Sequence, residues 1–521
     1  MWMCDNFSHR LRMTALLTAL LATAPLGAQP AARADEGTAV TVYSSADPAG
    51  FDPQQFIAQQ RAGYNPNYVW QVPGFGVVKE IRDVDIAAGV SDLRFTDVAE
   101  FIDPTTVSFA DLTDAAGTTV LEQNFMFDLV SPEKLLDKYL DRDISVLLTR
   151  GEQIDTLRGR LLSANQGRLV MQGSDGVQIV SGWGQQLKLG ELPGGLITRP
   201  TLVWKVQSPS GGRHKVRTTY QTNGMTWRAD YNLVVNPDDT KADLNAWVSL
   251  MNLSGAGFKD ARLKLIAGDV QRIQPPSPMG GAMMKSRAVA MEMADAGGFQ
   301  EKSFFEYHLY TLPRRTDLLQ NTTQQITLFP TAHDVNVEKL LVYYGLPEAA
   351  SWGFFPQPQL DRSFGQQSNP KVDVYLRFKN AKENQLGMPL PKGRMRTYKR
   401  DDADGTLEFI GEALIDHTAK DEKVLIKLGQ AFDVVGERVQ SDFTIDTNRK
   451  TMTETYRIEI RNHKPAVQKV VIKENLIRWT NWEITDSSDK YEKIDARTIH
   501  FEVAVPADGK KQVTYTVKYT W

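Results

Sequence analysis

The sequence predicts a mostly β protein: antiparallel, β-sandwich-like domains with a small SH3/Sm-like barrel and one short helix. Three observations predict it. Apolar residues recur with a period of two in run after run, which puts each set on one face of a strand. Gly, Pro, Asn and Asp cluster between the runs, where turns are needed. A helical spacing of apolar residues stands out once only, near Leu135.

The chain has 521 residues, too many for one ordinary core, so two to four domains are expected. It opens on Arg10 and Arg12, an apolar run from Met13 to Ala24, and an A-x-A site, Ala32-Arg33-Ala34. That order predicts a signal peptide over residues 1–34, cleaved before Asp35, with cleavage after Ala28 as the alternative. The apolar run is too short to span a bilayer, and no later stretch is long and apolar enough. The single cysteine, Cys4, falls within the signal, so a mature chain would have no thiol, disulfide or Cys-based metal site. These features predict export to the periplasm or cell surface of a bacterium. A net charge of -3 argues against nucleic acid as the main partner, since phosphate neutralisation needs clustered Lys and Arg.

Residues 35–130 read as an N-terminal β-domain. Its strands begin at Val42-Tyr43 and continue through Asp83–Ile86, Asp92–Thr96, Thr106–Phe109 and Val120–Phe127, with a loop over 48–76. The helix occupies 131–141: Ser131 caps it, Pro132 suits its first turn, and Leu135, Leu136, Tyr139 and Leu140 share a face. Residues 142–195 hold five short strands, at 145–148, 157–161, 168–171, 177–179 and 187–189, hence the small barrel.

Residues 200–521 read as one large β-sandwich domain. Trp227, Ala229, Tyr231, Leu233 and Val235 alternate, as do Leu244, Ala246, Val248 and Leu250, then Ala261, Leu263, Leu265 and Ala267. Asn223-Gly224 suggests a tight hairpin turn, and Gly211 to Lys215 reads as a hairpin turn with a basic flank. A Met-, Pro- and Gly-rich stretch, 274–298, interrupts the domain as a flexible loop; its thioethers suit copper(I), but the methionines lack a regular spacing. Strands resume at 304–310, 325–329, 340–344, 372–378, 395–398 and 406–410, the last two flanking a turn at Asp401–Gly405. Near the end, Ile499, Phe501, Val503 and Val505 are expected to pair across Ala507-Asp508-Gly509 with Val513, Tyr515, Val517 and Tyr519.

No catalytic, cofactor-binding or metal-binding residue is predicted. The seven histidines make no paired metal spacing. Ser254 lacks the glycine two places before it that a nucleophile elbow needs. Asp230, Asp269 and Glu483 lie near aromatics and are the acids open to acid–base work, although solvated or ion-paired acids are commoner on a sheet with a wet face. The better lead is aromatic. Trp352, Phe354 and Phe355 stand in the loop sequence SWGFFPQP, and Trp479 follows near a strand end, so these four are candidate partner-binding residues for an envelope protein, a lipid or a glycan.

The last 320 residues resemble the bacterial domain-of-unknown-function family 4139, a domain also found in mucoidy-inhibitor-A-like proteins. Tyr220, the run Gly224 to Tyr231 (GMTWRADY), Asn252 to Gly255 (NLSG), Leu263 to Asp269 (LKLIAGD), Tyr307 to Pro313 (YHLYTLP), Gly411-Glu412 and Asn481 to Ile484 (NWEI) carry the resemblance. Many relatives carry a long coiled coil ahead of this domain; this chain has no sustained heptads. The resemblance implies a β-sandwich-like fold and an exported location, but no established activity, so no catalytic role carries over. The reading is an exported cell-envelope protein that binds or scaffolds, with an envelope glycan or peptide hydrolase of non-standard site as the alternative.

Overall fold

The computed structural model describes residues 37–47, 58, 69, 72–150, 153–165, 167–181, 186–191, 193–268, 270, 299–347, 349, 352–353 and 355–521. The expected signal peptide and the Met-rich loop 274–298 lie outside the described residues, as does most of the loop 48–76. Strands hold 64% of the described residues and helices 3%, so the mostly β reading holds. The helix Pro132–Lys138 forms as expected. The Ser131 side chain accepts from the Lys134 amide, and Leu136 and Tyr139 face inward, but Leu140 is 41% exposed.

The helix covers a five-stranded antiparallel sheet in the order Gln186–Lys188, Asp143–Arg150, Gln153–Asn165, Arg168–Gly173, Gly176–Ser181. Leu136, Tyr139, Val146, Leu161 and Met171 form its own small core. All five expected strands are there. The first four in chain order make a meander and the fifth returns to pair with the first, and no ladder among the described residues closes the sheet into a barrel.

A second sheet runs Gln300–Phe304, Tyr307–Thr311, Phe258–Ala267, Gly37–Ser44, Phe75–Ile86, Gly212–Thr222, Ile102–Asp111. Gly37–Ser44 lies in its middle, parallel to Phe258–Ala267 and antiparallel to Phe75–Ile86. The N-terminal strands are therefore built into a sheet with strands from beyond residue 200. A three-stranded sheet, Gly89–Thr96, Thr201–Ser208, Thr119–Met126, packs beside it.

The largest sheet begins Leu407–Ile415, Gly393–Arg400, Met225–Val235, Lys241–Asn252, Thr322–Tyr344, Lys371–Lys379. It continues through Lys423–Asp446, Thr451–Asn462, Gly509–Thr520 and Trp482–Ser487. At Thr322–Tyr344 it branches. That strand also pairs in parallel with Gln468–Asn475, which leads to Thr498–Val505 and Tyr491–Lys493. The sequence suggests two strands here, at 325–329 and 340–344. Thr322–Tyr344 is one strand of 23 residues whose register shifts let it bend and continue. Its first half gives Ile326, Leu328 and Val335 to one core, and its second half gives Leu341 and Tyr343 to another. Lys423–Asp446 does the same with Ile426 and Val434. Two long strands thus join two sandwich cores.

Four local expectations are corrected. Met225–Val235 does not pair with Gly212–Thr222 across Asn223-Gly224; each strand pairs in a different sheet. The turn is an arch between layers. Gly224 alone takes positive φ, +82°, and an added Cβ would sit 2.7 Å from the Leu253 carbonyl oxygen. The expected turn over 211–215 is likewise no hairpin: 209–211 step between sheets, because Thr201–Ser208 pairs only within the three-stranded sheet, and Gly212 to Lys215 already pair with Phe75–Ile86. Thr498–Val505 and Gly509–Thr520 face each other across the second core, with Phe501 and Tyr515 rings 5.6 Å apart, yet they pair with other strands. Residues 304–310 are not one strand but part of a hairpin turning at Phe305, whose φ is +60°. The hairpin at Asp401–Gly405 forms as read, joining Gly393–Arg400 to Leu407–Ile415.

Candidate functional site

Trp352 and Phe355 come together. Their ring centroids are 6.3 Å apart, and both contact Phe364, at 5.3 and 5.5 Å. Both are half-buried. Phe354 lies outside the described residues. Trp479 does not join the ring cluster in any described ring contact; it is half-buried against the second core, and its indole nitrogen has no partner.

What holds these rings in place is a buried charge network. Arg478, 1% exposed, donates from Nη1 to the carbonyls of Gln359 (2.8 Å) and Asp361 (2.6 Å), and from Nη2 to those of Arg362 (3.3 Å) and Phe364 (2.9 Å). Its Nε donates to Glu454 Oε1 at 2.5 Å, an oxygen that also accepts from Tyr456 and Gln440. Beside it, Arg438 donates to Glu474 at 2.9 Å and to the Gly365 carbonyl at 2.7 Å, and Tyr515 donates to the same Glu474 oxygen at 2.5 Å. The Arg438 guanidinium lies 3.7 Å from the Tyr456 ring centre. Burial alone would disfavour its charge, but Glu474 and the neighbouring tyrosines outweigh that and raise its pKa. Burial pushes the Tyr456 hydroxyl up to about 12. Gly345 makes room for the Arg438 stem, since a Cβ there would lie 2.1 Å from Cδ.

Buried charges persist only when paired and hydrogen-bonded. Here two guanidinium groups spend their donors on the backbone of 359–365 and so fix that loop to the sandwich. Arg497 adds bonds to the carbonyls of Trp352 and Gly353. Sequence reading missed this network, although a signal was present. Glu454 falls in phase with Met452, Tyr456 and Ile458, and Glu474 with Val470 and Ile472, so each acid sits on an apolar face.

The other singled-out acids go separate ways. Asp230, 5% exposed, accepts from Ser249 Oγ at 2.6 Å and from Arg228 Nε at 3.3 Å. Glu483 pairs with Lys518 on the surface, and Asp269 lies outside the described residues. His308 sits on a strand against Glu301, at 2.8 Å. His214 is buried 2.6 Å from Asp111, whose other bonds, from Thr118 and from the amides of Thr113 and Asp114, fix the turn after Ile102–Asp111. Among the described residues no three His, Cys, Asp or Glu side chains converge as a metal site. Asn252 to Gly255 is a bend, with Ser254 hydrogen-bonded to Asn252.

His500 gives the fold an acid sensitivity. Burial, then the nearby Lys473, lower its pKa from 6.5 to about 4. The folded state therefore binds fewer protons than the unfolded one across that interval, so this contribution is full above pH 6.5 and lost as pH falls towards 4. Urea unfolding at a series of pH values should show stability dropping over this window, and His500→Asn should flatten the drop. An unchanged slope in the variant would assign the acid sensitivity to other groups.

The family model described as Domain of unknown function (DUF4139) matches residues 216–521. No curated protein matches the chain.

Proposed function

The chain belongs to the DUF4139 family, and we propose that it is an exported cell-envelope protein that binds or scaffolds rather than catalyses. One observation carries this reading: Arg438 and Arg478 fasten the backbone of 359–365, and with it the Trp352, Phe355 and Phe364 rings, to the second sandwich. A loop held in one conformation before its partner arrives loses little entropy on binding, which is how a rigid aromatic anchor gains affinity. Trp352, Phe355 and Trp479 are the contact residues of this reading. The apolar run 13–24 and the A-x-A site support export.

The test places a photo-crosslinking amino acid at Phe355 in the bacterial cell. The expected result is an adduct recovered from the envelope fraction, on a chain whose N-terminus lies near Asp35 by mass spectrometry. An uncleaved cytosolic chain would end the export reading. A cleaved chain that yields no adduct would end the assignment of the contact loop.

A further inference from the structure

A second surface, on strands that pack over the first core, has the composition of a ligand platform. It is the solvent side of the sheet formed by Leu407–Ile415, Gly393–Arg400, Met225–Val235, Lys241–Asn252 and the first half of Thr322–Tyr344. The inner side of these strands carries Met395, Trp227, Ala229, Tyr231, Val248 and Ile326, all buried. Alternation sends the intervening residues outward. Register then sets them in rows across five strands. One row is Leu414, Arg394, Asp230, Trp247, Thr327. The next, towards the far end of Met225–Val235, is Glu412, Arg396, Asn232, Asn245. On the opposite flank lie Arg228, Ser249 and Gln325.

Three features of this field go beyond an ordinary wet face. Trp247 is 37% exposed, an indole ring among polar side chains rather than within an apolar patch. Asp230 is nine-tenths buried beneath the surface, and its Oδ1 has no hydrogen-bond partner; Arg396 Nη1 stands 3.8 Å away, too far for a bond. Arg394 makes no ion pair or side-chain hydrogen bond among the described residues. A further ring pair, Tyr398 and Phe409, stands at the corner of the field, with centroids 5.7 Å apart and Phe409 56% exposed. By strand rise and spacing, Tyr398 lies about 17 Å from Trp247, a span of several pyranose rings.

We propose that this face binds an acidic oligosaccharide, with one pyranose ring stacked on Trp247 and a uronate carboxylate held by Arg394 and Arg396. Each part of the ligand has a matching group. The C–H face of a sugar suits an indole surface. Asn232, Asn245 and Thr327 supply the mixed acceptors and donors that hydroxyl groups need. A guanidinium meets a carboxylate through paired N–H bonds, and Arg394 has no other ion pair among the described residues, while Arg396 stands beside it, 3.6 Å from Glu412. A peptide strand is a poorer fit, because strand addition uses a sheet edge, whereas these side chains lie on a face.

Isothermal titration of the full chain with a short galacturonic-acid oligomer tests this, with a neutral glucose oligomer and a single-stranded oligonucleotide as comparisons. Binding is expected for the uronic-acid oligomer, weakening as salt rises. Trp247→Ala should abolish it. Arg394→Ala, on a half-buried position of the outer face, should weaken it about tenfold or more, the worth of one charge-assisted contact. Trp247→Phe, which keeps a ring on the strand, should retain part of the affinity and guards against a folding defect in Trp247→Ala. No binding of the acidic oligomer, equal binding of the neutral one, preference for the oligonucleotide, or indifference to Arg394→Ala would each overturn the proposal. None of these outcomes depends on Trp352 or Phe355, so this site and the aromatic loop stand or fall separately.

Discussion

Arg478→Met is expected to lower the stability of the second sandwich by about 3–5 kcal/mol, the usual loss when one partner of a buried ion pair is removed. The reason is not the pair alone. Without the guanidinium, Glu454 keeps only the Tyr456 and Gln440 bonds for a carboxylate that is 1% exposed. The carbonyls of Gln359, Asp361, Arg362 and Phe364 lose their common donor. Adding Glu454→Gln to Arg478→Met should recover part of the loss, because the stranded charge then disappears while the carbonyls remain unserved. Urea unfolding of the two variants measures both effects. Limited proteolysis should show faster cleavage within 352–366 in each, since the loop is released even where global stability returns. A loss below about 1 kcal/mol, with the loop still protected, would mean that packing of Phe364 holds the segment and that the charges contribute little.

The same network shows where sequence reading stops. The period of two gave the buried face correctly in strand after strand: Trp227, Tyr231, Leu244, Val248, Leu263 and Tyr515 all point inward. It could not say which strand lies beside which. Asn223-Gly224 and Ala507-Asp508-Gly509 were read as hairpin turns because the strands on either side direct apolar residues to one core. That pattern is identical whether two strands pair edge to edge or arch over and face each other across a sandwich. A positive φ at Gly224 or Asp508 suits either path. The fate of the loop SWGFFPQP was equally hidden, because the groups that order the segment it leads into come from far downstream: Arg478 reaches Gln359 and Asp361 across separations of 119 and 117, and Arg438 reaches Gly365 across 73. Arg438 and Arg478 resemble surface residues until their partners, Glu474 and Glu454, are seen on the inward phase of their own strands. The platform around Trp247 escaped for a different reason. Its rows combine side chains from five strands, and only register brings Arg394 beside Asp230 and Asp230 beside Trp247.

Trp227→Ala is expected to cost about 3–5 kcal/mol, as truncation of a large core aromatic typically does, whereas Arg228→Ala should cost about 1 kcal/mol or less. Trp227 is 1% exposed, donates its indole N–H to the Ile266 carbonyl at 3.3 Å, and meets Tyr310 edge-on at 6.0 Å. Ile266 and Tyr310 belong to the sheet that contains Gly37–Ser44, so this one side chain ties two sheets together across the first core. Removing it opens a cavity between layers that neither sheet can close without shifting the register of a long ladder. Arg228 points to the opposite face. Its bond to Asp230 is long, at 3.3 Å, and Arg396 stands close enough to move in as a replacement. Thermal unfolding of the two variants separates the faces of Met225–Val235 directly. Comparable losses would place both side chains in packed surroundings, and a larger loss for Arg228→Ala would mean the strand is slipped by one residue, which exchanges its buried and solvent faces throughout.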